Sequence, residues 1–183
     1  MLDLNFSPFP DLKTERLLLR KIALEDAPEI FFLRSDEKVL MHIGKEPASS
    51  IKDAEDFIQR VNTAIANNES IIWAITLNNI PEKVIGTICF WRLQPENYRA
   101  EIGYALHPEY WRKGIMKEAI NKVLEYGFAI MKLHSVEARI SARNMASAAI
   151  LEATGFVKEA NLKEEFYFRG NFQDTIIYSL LEK

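Results

Sequence analysis

Glu101-Ile102-Gly103-Tyr104-Ala105-Leu106-His107-Pro108-Glu109-Tyr110-Trp111-Arg112-Lys113-Gly114-Ile115-Met116 reads as a strand, a cationic turn and the opening of a long helix, in that order. Residues 101–106 alternate, with Ile102, Tyr104 and Leu106 on one face, and Pro108 stops the strand because it has no N–H to give to a ladder. From Ile115 onward apolar residues recur at helical spacing (Met116, Ala119, Ile120, Val123, Leu124, Phe128, Met131), which predicts a helix over 114–131. The first N–H groups of a helix have no partner, and its dipole favours an anion there by about 0.3–1 kcal/mol. Gly114 lets a ligand approach the backbone with no Cβ in the way, and Arg112 and Lys113 add positive charge at the same point. Such a unit suits a phosphate-bearing ligand. The chain contains neither Gly-x-x-x-x-Gly-Lys-Ser/Thr nor Gly-x-Gly-x-x-Gly, so the usual ATP and dinucleotide cradles have no support.

Outward from this unit the order is mixed. An extended lead-in over 1–10 is followed by a strand over 16–22 and a helix over 24–35, with Glu25, Asp26 and Pro28 at its start. The loop 44–50 precedes a helix over 52–67, whose apolar stripe is Ala54, Phe57, Ile58, Val61 and Ile65. Strands over 71–77 and 83–93 are joined through Asn78-Asn79-Ile80-Pro81, and the next strand, 99–106, leads into the quoted turn. A short strand over 136–140, a helix over 144–154 ended by Gly155, and a final hairpin of 156–168 with 171–181 complete the chain. The expectation is an α/β (α+β) domain over 1–183, a mixed, mostly antiparallel sheet of about seven strands flanked by about four helices.

Composition sets the outer bounds. At 48% hydrophobic and 27% charged, the chain has the make-up of a globular domain rather than of a disordered one. A net charge of −3 argues against a general nucleic-acid surface. Cys89 is the single cysteine and lies in an apolar run, so it reads as a small core residue and not as an acyl-enzyme nucleophile. No His/Cys/Asp/Glu cluster has metal-ligand spacing. No signal peptide and no run of eighteen apolar residues is found, so the expected setting is the cytoplasm, away from membranes.

The segment Pro108-Glu109-Tyr110-Trp111-Arg112-Lys113-Gly114-Ile115-Met116-Lys117-Glu118-Ala119 resembles the acyl-CoA loop of the GNAT superfamily of N-acetyltransferases. It is most similar to the RimJ/RimL branch, which acetylates the N-terminal amines of ribosomal proteins. Thr14-Glu15-Arg16-Leu17-Leu18-Leu19-Arg20, Ile85-Gly86-Thr87-Ile88 and the stretch from Asn144 to Phe156 resemble family motifs in the same order. Two positions depart from the pattern. Trp111 stands where Gln or Arg is usual, and Met116 stands where Gly or Ala is usual, with a bulk that would crowd a pyrophosphate. The resemblance implies the GNAT fold and acetyl-CoA as co-substrate, without a metal. It implies that Leu106, Arg112, Lys113, Gly114, Ile115, Met116 and Asn144 bind that co-substrate.

Acetyl transfer to an amine needs a neutral amine, a stabilised oxyanion and a proton for the departing thiolate. An α-amine titrates near 7.7–8.0 and a lysine near 10.4, so neutralising them at pH 7 costs about 1 and about 4.6 kcal/mol. Glu101 is the candidate base: it shares a face with Gly103 and Ala105, which leave space beside it, and the histone-acetylating branch has a glutamate base at the corresponding place. Its alternative role is a strand-end partner for Arg99. His107 is the second candidate base, while His42 and His134 have no partner pattern. Asn144 is either a helix N-cap or a hydrogen-bond partner of the pantetheine arm, as the family implies. Ser147 is the candidate acid for the thiolate, with Tyr178 as the alternative donor or a buried structural tyrosine.

The expected reaction is acetylation of a primary amine, first of all a protein N-terminus such as that of a ribosomal protein. The alternatives are a small amine (a polyamine, amino acid or antibiotic) and a non-catalytic acyl-CoA-binding module. No direct nucleic-acid partner is expected, and a homo-oligomer is left open.

Overall fold

The computed structural model describes residues 1–182. Its strands are β1 (Leu12–Lys13), β2 (Leu17–Lys21), β3 (Ile71–Leu77), β4 (Ile80–Gln94), β5 (Arg99–Leu106), β6 (Ser135–Ser141), β7 (Val157–Phe168) and β8 (Asn171–Leu181). Its helices are α1 (Ala27–Ser35), α2 (Glu37–Leu40), α3 (Ile51–Ala66), α4 (Ile115–Ala129) and α5 (Met145–Ala153). The eight strands form one sheet in the order β1-β2-β3-β4-β5-β6-β8-β7, antiparallel except for the β5–β6 pair. This is the expected mixed sheet, with one more strand and one more helix than the sequence suggested. The additions are the two-residue β1 and the four-residue α2, both too short to carry a periodic signal.

Local chemistry explains the helix ends. Ser50 caps α3, and Asp53 returns a bond to the Ser50 backbone, a reciprocal box that satisfies two orphan donors. Asn144 accepts from the Ser147 N–H at 3.0 Å and so caps α5. Gly155, at φ +92°, takes the chain away from that helix. Pro28 sits in the first turn of α1, which begins after a short 3-10 turn at Leu24–Asp26. The lead-in over 1–10 is firmly packed. Leu2 and Phe6 are buried, and the Trp73 indole donates to the Pro10 carbonyl at 2.8 Å.

The core lies between the sheet and the buried faces of its helices: Ile115, Met116, Ala119, Ile120 and Val123 of α4, Ile30 and Leu33 of α1, and Ala54, Ile58 and Ile65 of α3. Burying one such side chain contributes about 1.5–3 kcal/mol. The feature that shapes the site is a fork. β5 and β6 pair only over Arg99↔Ser135, Ala100↔Val136 and Glu101↔Glu137, although β5 runs on to Leu106 and β6 to Ser141. Beyond Glu101 one edge of β5 therefore has no strand beside it. His107 donates its N–H to the Ile85 carbonyl at 2.8 Å, which fixes the alternation of β5 against β4. By that alternation the N–H groups of Tyr104 and Leu106 point into the fork.

Candidate active site

Glu101 is the last residue of the paired section, at the apex of the fork, and is only 6% exposed. Its neighbours on the same face, Gly103 and Ala105, line with it a cavity of about 460 Å³. The carboxylate meets Arg92, Oε2 to Nη1 at 3.1 Å, and not Arg99, which pairs with Glu137 instead. Burial holds the Glu101 carboxyl above the usual carboxylate range; Arg92 pulls it back by charge and hydrogen bond, Glu137 pushes it further up and Arg139 opposes. A second cavity of about 450 Å³ opens toward the β7–β8 hairpin and shares Glu101 with the first. Glu101 thus lies between the two.

On the other side of the fork α5 brings up a hydroxyl. Ser147 is 5% exposed and lines the first cavity with Asn144. Its Oγ lies 2.5 Å from the Tyr104 hydroxyl, which joins the two sides of the fork. Burial pushes the Tyr104 phenol up to about 12, with the Ser147 bond opposing, so it is a proton donor at neutral pH. Asn144 does its capping work from within the cavity lining.

The cationic turn follows the end of β5. The Trp111 indole donates to the Leu106 carbonyl at 2.7 Å, which occupies that acceptor and leaves the Leu106 N–H facing the fork. Arg112 and Gly114 both lie at positive φ, +58° and +74°, and bend the chain into α4 with Lys113 exposed between them. Glu118 in the first turn of α4 binds the Arg16 side chain at 2.6 Å, and Arg16 in turn donates to the Lys113 carbonyl at 2.9 Å. The turn is thereby tied to the start of β2. Ile115 and Met116 point into the core at 4% and 5% exposure, so their side chains are turned away from the surface at the start of α4. The bulk of Met116 is thus taken up by the core.

The structure brings Glu101, Asn144 and Ser147 to one cavity, with Leu106 and the Arg112–Lys113–Gly114 turn at the end of the strand that leads from it. Two other candidates lie elsewhere. His107 accepts from the Glu109 N–H at 3.2 Å and stacks on Phe32 with ring centroids 4.2 Å apart; it lines neither cavity. Tyr178 is buried and donates to Glu152 at 3.0 Å, the structural role. Cys89 does line the cavity, but burial pushes its thiol up to about 12, which keeps it protonated. Tyr104 and Arg92 are not among the site residues that the sequence points to. The alternation that assigned Tyr104 to the core face was correct, and only the divergence of β6 opens that face.

The Acetyltransferase (GNAT) domain family matches residues 16–157. The chain is 38% identical to the uncharacterized N-acetyltransferase YoaA of Bacillus subtilis (strain 168) over 174 residues, 95% of this chain and 98% of that one. Among solved structures it is similar to the ribosomal-protein-S5-alanine acetyltransferase of Vibrio fischeri, with TM-score 0.80, 27% identity and coverage of 94% and 96%. It is also similar to the spermidine N-acetyltransferase of Vibrio cholerae in complex with CoA and spermine, with TM-score 0.81, 26% identity and coverage of 92% and 96%.

Proposed function

The chain belongs to the GNAT acetyltransferase family, and from that premise we propose that it moves the acetyl group of acetyl-CoA to a primary amine, with Glu101 as general base and Ser147 as general acid. The observation that carries the assignment is the placement of a buried carboxylate and a buried hydroxyl in one cavity at a forked sheet.

In this reading the Arg112–Lys113–Gly114 turn and the first N–H groups of α4 hold the phosphates, by charge and by helix-end donors. The fork-facing N–H groups of Tyr104 and Leu106 hold the pantetheine arm and polarise the thioester carbonyl. Glu101 takes the proton from the attacking amine, directly or through one water, as the new N–C bond forms. The C–S bond breaks, and Ser147 gives its proton to the thiolate; solvent restores that proton through the Ser147–Tyr104 pair while Glu101 releases the amine proton to solvent, so that one proton passes in net from nitrogen to sulfur. The thiol of CoA resembles that of cysteine, about 8.5, so this last transfer is assistance and not a requirement.

For the acceptor we favour the α-amine of a protein N-terminus, because it costs about 1 kcal/mol to neutralise at pH 7 and needs only a modest base. The likeness to the Vibrio fischeri enzyme, named for a ribosomal protein, supports that choice. A polyamine acceptor is the second reading, supported by the likeness to a spermidine N-acetyltransferase. Thiol release from acetyl-CoA, followed with N-terminal peptides and with spermidine, tests both. Binding of acetyl-CoA without thiol release from any amine would leave a binding module in place of an enzyme.

A further inference from the structure

The charges that line the cavity beside Glu101 do not balance. Its carboxylates are Glu46 and Glu101, and each is already held: Glu46 by Arg169 at 2.9 Å, Glu101 by Arg92 at 3.1 Å. Arg139, which also lines it, is paired with Glu137 and Glu165. The two remaining cations of the lining, Arg34 and Lys45, make no ion pair among the described residues.

Arg34 is the more firmly built of the two. It lies in the last turn of α1, with its guanidinium over the Phe57 ring of α3, 4.0 Å from the centroid. Its Nε is buried and has no hydrogen-bond partner. Burial pulls its pKa down, Arg60 repels it, and Asp53 attracts it too weakly to compensate. Asp53 is itself engaged by Ser49 and Ser50. The dipole of α1 favours a cation at this end, but an exposed side chain would collect that benefit without losing water. A buried, unmatched donor costs about 1–3 kcal/mol, and more when charged. A guanidinium held over an aromatic ring is restricted in position and keeps its fork of donors for the two parallel bonds of a carboxylate.

We propose that Arg34 reads an anion on the acceptor, and that the acceptor is a primary amine carrying a carboxylate. This rests on the reading of the Glu101 cavity as the acceptor site. The carboxylate comes either from a free amino acid or from an acidic residue beside a protein N-terminus. A polycation would meet Arg34 and Lys45 with no free carboxylate to receive it, so spermidine is a poor acceptor.

The test follows thiol release from acetyl-CoA with L-α-amino acids, each matched by its carboxamide. It adds short peptides with an acidic or a neutral second residue, and spermidine. In the wild type the carboxylate member of a matched pair should have the higher kcat/KM, by roughly 10–100-fold for a charge-assisted bond. Arg34→Gln should erase that ratio with the KM for acetyl-CoA unchanged, and Arg34→Lys should restore part of it. Whichever arm shows the ratio, amino acids or acidic peptides, identifies the source of the carboxylate. The proposal is overturned if carboxamides or spermidine are used as well as carboxylates, or if Arg34→Gln lowers both members of each pair equally. Glu101→Gln on the same panel separates the two claims: wild-type turnover there removes the base assignment and leaves the matched-pair ratio to judge Arg34 alone.

Discussion

At Glu101 burial bears on both protonation and stability at a single residue. Its carboxyl titrates above the ordinary range because the site removes water from it, and Arg92 limits that rise. Glu101→Gln should lower kcat by about 10²–10⁴-fold, leave the KM for acetyl-CoA nearly intact, and lose less at higher pH, where more of the amine is already neutral. A wild-type pH–rate profile in that variant would place the base elsewhere. Arg92→Met removes the main counter-charge, so the acidic limb of kcat/KM should move to higher pH; Arg139 still favours the anion and Glu137 still opposes it. The stability effect has the opposite sense. A carboxyl raised in the fold contributes stability below its unfolded pKa and loses it as pH rises through the folded value. Glu101→Gln should therefore be at least as stable as the wild type at pH 7, measured as Tm. Ser147 and Tyr104 form the second pair. Ser147→Ala should reduce turnover by roughly 10²-fold or less. Tyr104→Phe should add little to that loss in the double variant, because the two hydroxyls act through one bond. Tyr178→Phe should leave turnover unchanged, and a loss confined to it would return Ser147 to an ordinary helix position.

At the level of elements, what was legible in the sequence is what local chemistry decides. Asn144 and Gly155 bracket α5, Ser50 opens α3, and Pro108 ends β5, each for a reason confined to a few residues. The fork was not legible, because it is a failure of two strands more than thirty residues apart in sequence to stay paired, and no periodicity records where pairing stops. Arg92 escaped notice for a related reason: it sits at positive φ in an irregular stretch of β4, between the Trp91 and Gln94 pairings, which turns its side chain back to Glu101. Gly114 was legible but for an incomplete reason. Its φ of +74° favours glycine whether or not a ligand is present, and a Cβ there would only touch Arg16 at 3.4 Å. Gly114→Val should thus cost stability as well as affinity, by about 1–2 kcal/mol from the backbone alone. Gly114→Asn, which tolerates this conformation better, isolates the ligand effect. If its KM for acetyl-CoA stays within twofold of wild type, the turn does not hold the phosphates.

At the level of the whole molecule the fork divides one sheet into two parts, β1 to β5 on one side and β6, β8 and β7 on the other, joined by only three residue pairs. A ligand seated between them, with its phosphates at α4 and its thioester beside α5, touches both parts and binds only when they are correctly placed. Such a ligand stabilises the native state by mass action, about 2.7 kcal/mol at a hundred times its Kd. For a domain of this size each kcal/mol raises Tm by about 2–4 °C, so acetyl-CoA or CoA at that concentration should raise it by about 5–11 °C. The shift should grow with the logarithm of ligand concentration, and hydrogen exchange should slow in β5 and β6 together, since the bridge closes both edges of the fork. NAD and ATP should leave Tm unchanged, because the turn before α4 has neither of the glycine patterns that cradle them. A flat response to acetyl-CoA beside a clear shift with NAD would refute the donor assignment. Protection confined to one side of the fork would mean that the ligand lies on one part of the sheet rather than between the two.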